Sequence, residues 1–260
     1  MTVLLSGILS ASGSPAVAAP GCSGATLVLS VWRGTAGPDL IDCSGSTTPV
    51  TVDAGDGDDV VYGSAGGDVV YGGAGDDVFF LGEGRDRVFA DPEENYQDGG
   101  GADTIYGGPG DDHELNGGGN NDRIYGEAGH DEILGGGGDD LVSGGAGRDW
   151  ISGAGAYDGA GTDTLDMSGA PANVRVDLAA QSASGWGTDQ IRFIDIVQGS
   201  PYKDTLQGDD AANVLRGGAG DDSLSGAGGN DSLDGGAGND RVDGGTGTDS
   251  CLGERVTKCE

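Results

Sequence analysis

Aspartate returns every nine residues through most of this chain: Asp59, Asp68, Asp77 and Asp86, then Asp122, Asp131, Asp140 and Asp149, and later Asp222, Asp231, Asp240 and Asp249. Glycines precede it in the same rhythm, as in Gly72-Gly73-Ala74-Gly75-Asp76-Asp77. A carboxylate is a hard oxygen donor, and glycine lets backbone carbonyls converge beside it because no side chain intervenes. Calcium takes roughly 6–8 oxygens at about 2.3–2.6 Å and tolerates irregular geometry, whereas magnesium demands a stricter octahedron. Zinc and copper prefer nitrogen or sulfur. The only histidines are His113 and His130, so calcium is the expected cation. Position five of the unit is also acidic at Asp58, Asp76, Asp111, Asp139 and Asp221, which adds field more than direct ligation.

These donors need an element that aligns them. Two positions after each aspartate stands an apolar residue: Val61, Val70, Phe79 and Val88 in one run, Ile124, Ile133, Val142 and Ile151 in another. The unit therefore reads Gly-Gly-x-Gly-x-Asp-x-U-x, with U a large aliphatic. A fixed period outranks local propensity, because it describes one small unit stacked on itself. No stretch shows a helical period, and interior glycine at this density opposes helix. Each unit predicts a six-residue turn and a three-residue strand whose U side chain points inward. Two units close one coil. The expected fold is all-β, a right-handed parallel β-roll (β-solenoid) of stacked nonapeptide turns around a thin file of Val, Ile and Leu.

The repeat resembles the hemolysin-type calcium-binding repeat of the RTX (repeats-in-toxin) family, a nonapeptide β-helix signature. The resemblance covers most of residues 34–252. It implies that each calcium lies between turns stacked on one edge, held by sixth-position aspartates and turn carbonyls. Matched by position, the aspartates are Asp59, Asp68, Asp77 and Asp86 in the first block, and Asp103, Asp112, Asp122, Asp131, Asp140 and Asp149 in the second. In the third they are Asp204, Asp222, Asp231, Asp240 and Asp249. The turn glycines implied with them are Gly55, Gly57, Gly66, Gly73, Gly75, Gly84, Gly108, Gly110 and Gly129. Further along they are Gly136, Gly138, Gly145, Gly147, Gly218, Gly220, Gly236, Gly238, Gly245 and Gly247. The complete units Gly72–Phe80, Gly135–Ser143, Gly217–Ser225 and Gly235–Asp243 carry the strongest expectation. Three departures predict weak or empty sites nearby. Asn213 replaces the aspartate, Asn120 replaces a glycine, and Glu114 takes an aliphatic position unless one extra residue shifts Leu115 inward.

Residues 20–53 read as a cap with one degenerate unit, 54–252 as the roll and 253–260 as a tail. Within the roll, Ala90–Gln97, with Pro92, reads as a loop. Another disturbed unit falls around Gly153–Asp158. Met167–Gln198 departs from the repeat, with Val174, Val176 and Leu178 alternating as a strand would. Gly185–Arg192 then recovers a unit. The segment is too short for its own core and reads as an excursion within one solenoid. Both interruptions are expected to break the row of sites.

A formal charge of -32 opposes compaction unless cations neutralise it, and it disfavours nucleic acid or an anionic membrane as a partner. Nothing supplies the roughly 20 apolar residues of a membrane span. Residues 1–19 read as a secretory signal peptide, with an apolar stretch at Val3–Leu9 and small residues at Ser14–Ala19. Its basic segment is missing, so the start reads as truncated or misplaced. The tail does not resemble the C-terminal signal of family members exported in one step. General export to the extracellular space is expected. There the pairs Cys22/Cys43 and Cys251/Cys259 favour disulfides over zinc, which would want Cys-x-x-Cys spacing or paired histidines.

No enzyme is expected. His113-Glu114 lacks the second histidine of a zinc protease, and the paired acids recur too regularly for a glycosidase pair. Two functions remain: a secreted calcium-binding module, or a calcium-stabilised adhesion scaffold that meets a glycan or protein. Tyr62, Tyr71, Phe80, Phe89, Tyr106 and Tyr125 occupy position nine. They would stack along the sheet or face sugar rings.

Overall fold

The computed structural model describes residues 22–28, 31–91, 100–154 and 161–259. The signal-peptide segment, most of Ala90–Gln97 and residues 155–158 lie outside the described residues. The chain is all-β and winds into a parallel β-solenoid. Its strands form two facing sheets, one of fifteen strands and one of twelve among the described residues.

Through the regular coils, successive strands mostly alternate between the sheets. Within a sheet, partners are mostly one coil apart in parallel register, as in Val60↔Val78, Val61↔Phe79 and Tyr62↔Phe80. The inward position is filled as the alternation requires. Val61, Phe79, Ile105, Ile124, Val142, Leu165, Val197, Leu215 and Leu233 make one buried file; Val52, Val70, Val88, Leu115, Ile133, Ile151, Leu206, Leu224 and Val242 make the opposing one. Leu115 is fully buried because Glu114 takes up the extra residue in a left-handed conformation, φ 68°. This local bulge returns the strand to register.

Met167–Gln198 is an excursion of one sheet only. Arg175–Asp177, Ser182–Ser184 and Thr188–Arg192 pair antiparallel and are inserted into the fifteen-stranded sheet. Val174, Val176 and Leu178 are buried beneath them. The opposite sheet passes this region without a break, since Thr164–Asp166, Ile196–Gln198 and Val214–Arg216 pair in parallel.

Disulfides close both ends. Cys22–Cys43, with Cα atoms 4.0 Å apart, ties down the antiparallel Thr26–Val28 and Val31–Arg33 pair; Cys251–Cys259, at 6.0 Å, ties down the terminal Arg255–Thr257 strand. Among the described residues the end coils have a neighbour on one side only, and a coil so placed frays most easily. No helix among the described residues is long and apolar enough to cross a membrane.

Candidate metal centres

The sixth-position aspartates fall into two rows, one along each edge where the chain turns between sheets. On one edge the peptide N–H of Asp39 donates to Oδ1 of Asp59. The same bond runs from Asp59 to Asp77, then to Asp103, Asp122, Asp140 and Asp163, at 2.7–3.0 Å. On the other edge it runs from Asp68 through Asp86, Asp112, Asp131 and Asp149 to Asp189, at 2.7–3.1 Å. In the last block Asp204 donates to Asp222 and Asp222 to Asp240, while Asn213 donates to Asp231 and Asp231 to Asp249.

The first interruption does not break either row. Asp77 reaches Asp103, and Asp86 reaches Asp112, across eight additional residues. The second interrupts both rows. One stops at Asp189; on the other edge Asp163 donates to Oδ2 of Asp195, but the Asp195 N–H turns back to the Asp163 carbonyl oxygen at 3.0 Å and does not reach Asn213. Asp163, Asp189 and Asp195 were not among the expected site residues, although Gly161-x-Asp163-x-Leu165 and Gly187-x-Asp189-x-Ile191 carry the core of the motif. Glu254 was missed too: its longer side chain accepts the N–H of Asp240 at 2.8 Å from a shortened final turn.

From Asp59 to Asp249 the sixth-position aspartates are buried, except Asp195 in the row's interrupted stretch. At Asp59, Asp77, Asp86, Asp103, Asp112, Asp122, Asp131, Asp149, Asp222, Asp231, Asp240 and Asp249 the second oxygen, Oδ2, is buried with no hydrogen-bond partner among the described residues. A buried polar oxygen without a donor costs about 1–3 kcal/mol, and more when charged. Such a pattern, repeated along both edges, sets out a row of hard oxygen donors fit for cations. Asp68 and Asp204 differ, for a reason the repeat pattern concealed. Ser64 and Ser200 stand at position two, and each donates its peptide N–H and hydroxyl to its aspartate, at 2.6–2.7 Å.

Glycine supplies the rest of the cradle. A Cβ on Gly217 would lie 2.4 Å from Asp222 Oδ2 and 2.5 Å from the Gly235 carbonyl oxygen of the next coil. On Gly238 it would lie 1.5 Å from the Gly220 carbonyl oxygen and 3.2 Å from Asp240 Oδ1. Carboxylate and carbonyl oxygens thus crowd the spaces that glycine leaves open. Gly73, Gly136, Gly218 and Gly245 at position two, and Gly75, Gly138, Gly220 and Gly247 at position four, all have positive φ. Asn120 keeps that conformation at φ 74°, so its substitution leaves the turn backbone unchanged. Among the described residues no three acidic, histidine or cysteine groups cluster for one metal. The donor set is therefore paired carboxylates with carbonyls, hard oxygens that fit calcium.

Burial, reinforced by neighbouring aspartates, raises these carboxyl groups above their ordinary range. Asp59 and Asp222 rise to about 6, Asp77 to about 7, Asp103 and Asp131 to about 8, and Asp122 to about 10. The sign of the pH effect follows. A carboxyl whose folded pKa is raised stabilises the metal-free fold below its ordinary pKa, and this stability is lost as pH rises through the folded value. In calcium-free buffer, lowering the pH from 8 to 5 is expected to increase the strand signal read by circular dichroism. With calcium present, the same change should weaken binding, because protons and cation compete for the same oxygens. A metal-free strand signal that stays level or falls between pH 8 and pH 5 would contradict this.

The position-nine aromatics form two ladders on opposite sheets. Tyr62, Phe80, Tyr106 and Tyr125 stack with centroids 5.0–5.1 Å apart, and Tyr71 stacks on Phe89 at 5.4 Å. Neighbouring rings cover one another's faces, which favours cross-strand stacking over sugar docking along these ladders.

The fold and its edges define a class: a parallel β-solenoid built on glycine-rich turns that present aligned carboxylates. Residues 53–88, 94–113, 115–155, 193–224 and 216–251 match the RTX calcium-binding nonapeptide repeat, taken four copies at a time. The matches span more than half of the chain, and it belongs to this family. No curated protein shows a significant match to it.

Proposed function

We propose that this is an exported protein whose roll binds several calcium ions between successive turns on each edge, and that binding them drives folding. The observation that carries the reading is the row of buried aspartate Oδ2 atoms without donors. Asp59, Asp77, Asp103, Asp122 and Asp140 would supply one edge, and Asp86, Asp112, Asp131 and Asp149 the other, with carbonyls of the turn glycines beside them. In the last block Asp222 and Asp240, and Asp231 and Asp249, would continue the rows. Asp163 and Asp189 extend the donor set beyond the nine-residue spacing. The paired disulfides favour an oxidising, extracellular setting. The division into a cap at 20–53, a roll at 54–252 and a tail belongs to the same reading.

Paired rather than clustered carboxylates imply modest affinity, since calcium sites gain strength with ligand charge; extracellular modules bind at about 10⁻⁴–10⁻³ M. Isothermal titration of the full chain with calcium should give saturable binding of several ions in that range. Magnesium should bind far more weakly. No saturable heat with calcium would refute the proposal.

A further inference from the structure

One turn of the roll is too short. The chain passes from the Thr188–Arg192 strand to the Ile196–Gln198 strand through Phe193, Ile194 and Asp195 alone, where a complete unit has six turn residues. The next coil on that edge turns through Gly208–Asn213 at full length, because Ile196 pairs with Val214. The missing residues leave a cavity of about 260 Å³ between the two turns. Phe193, Arg192, Asp195, Asp209, Asn213 and Gln181 line it.

Two of these side chains sit on strained backbone. Phe193 has φ 52° and Gln181 φ 55°, values a bulky residue rarely adopts. Such strain costs about 1–3 kcal/mol and concentrates at ligand sites. Phe193 nevertheless is 64% exposed at the cavity. Asn213 is 2% exposed, and its Oδ1 accepts the Asp209 N–H at 2.9 Å, which assigns the amide orientation. Its Nδ2 then has no acceptor among the described residues, and Arg192 has no ion pair there. Asp195 and Asp209 each use one oxygen on a peptide N–H and keep the other.

This lining discriminates among ligands. An anion would meet two carboxylates. A simple cation would satisfy those but leave the Asn213 and Arg192 donors unused. A pyranose meets both demands, because each hydroxyl donates and accepts, while its C–H face suits an aromatic ring. The volume is slightly below the roughly 300–1,000 Å³ of sites for larger ligands, which suits one sugar ring. We propose that the cavity at the shortened turn binds a single pyranose residue, as the free sugar or as a unit of a glycan.

Saturation-transfer NMR on the calcium-loaded full chain tests this, with glucose, galactose, mannose and N-acetylglucosamine as probes. At least one should show transfer. Phe193→Gly removes the ring at a position where glycine relieves the strain, and Arg192→Ala removes an exposed, unpaired donor. Each should weaken the sugar's affinity about tenfold. Strand signal and calcium titration should be unchanged in both variants, so the sugar site is read separately from the calcium rows. The proposal is overturned if no sugar of the panel shows transfer, or if transfer survives both substitutions at full affinity.

Discussion

Stripped of divalent cation at pH 7.5, the chain loses its strand signal in circular dichroism, and calcium restores it along a cooperative curve. This is the largest effect the structure leads us to expect. The folded, metal-free roll buries a carboxylate oxygen without a donor at coil after coil on both edges. Each such atom costs about 1–3 kcal/mol. A domain is stable by only about 5–15 kcal/mol in total, so a few of these costs cancel the margin. Protonation is only a partial remedy at pH 7.5: it reaches Asp103, Asp131 and Asp122, raised to about 8 and about 10, but leaves Asp59 and Asp222, raised to about 6, ionised. Binding works in the opposite direction. A site held at 100 times its dissociation constant contributes about 2.7 kcal/mol, and contributions from separate sites accumulate. Equal strand signal in EDTA and in millimolar calcium would disprove coupled binding and folding, even if titration still found calcium bound.

The second large effect comes from one methyl group. Gly129→Ala is expected to lower the thermal midpoint of the calcium-loaded chain by more than about 8 °C. Gly129 has φ 155°, and a Cβ there would lie 1.4 Å from the Gly110 carbonyl oxygen of the preceding coil. Neither backbone can yield cheaply, since the Gly110 N–H donates to the Ala128 carbonyl at 2.8 Å within the same ladder. The cost exceeds about 4 kcal/mol, the range reserved for specific structural damage. Each coil touches only its neighbours, so the fault should divide the roll, with hydrogen-exchange protection lost first around Thr104–Pro109 and Arg123–Gly129. Gly45→Ala is the control. No atom lies within 4 Å of a Cβ at Gly45, and its midpoint should be almost unchanged. If Gly129→Ala behaves like this control, the turn backbones are not in contact.

The solenoid was legible because its information is local. Nine residues specify the turn, the strand and the inward side chain, and Val61, Phe79 and Ile124 all occupy the buried place their spacing assigns. The aspartate rows were legible wherever the spacing held. They were lost where it failed: Asp163 and Asp189 follow longer connections, and Glu254 follows a shorter one. The Ser64 and Ser200 exceptions also escaped notice. A serine at position two looks like an ordinary substitution until its hydroxyl is seen on the aspartate.

The period of the sequence alone therefore determined the all-β coil, its thin core and the oxygen chemistry of its turns. Tertiary structure decided which turn stacks on which. That choice rests on hydrogen bonds between neighbouring coils, such as Asp77 N–H to Asp103 Oδ1, and these bonds join atoms close in space at any separation along the chain. The eight additional residues between Asp77 and Asp103 leave such a bond intact, since the same two coils still meet. Residues missing at Phe193–Asp195 do the reverse: the coils still meet, but the shortened turn cannot fill the gap between them.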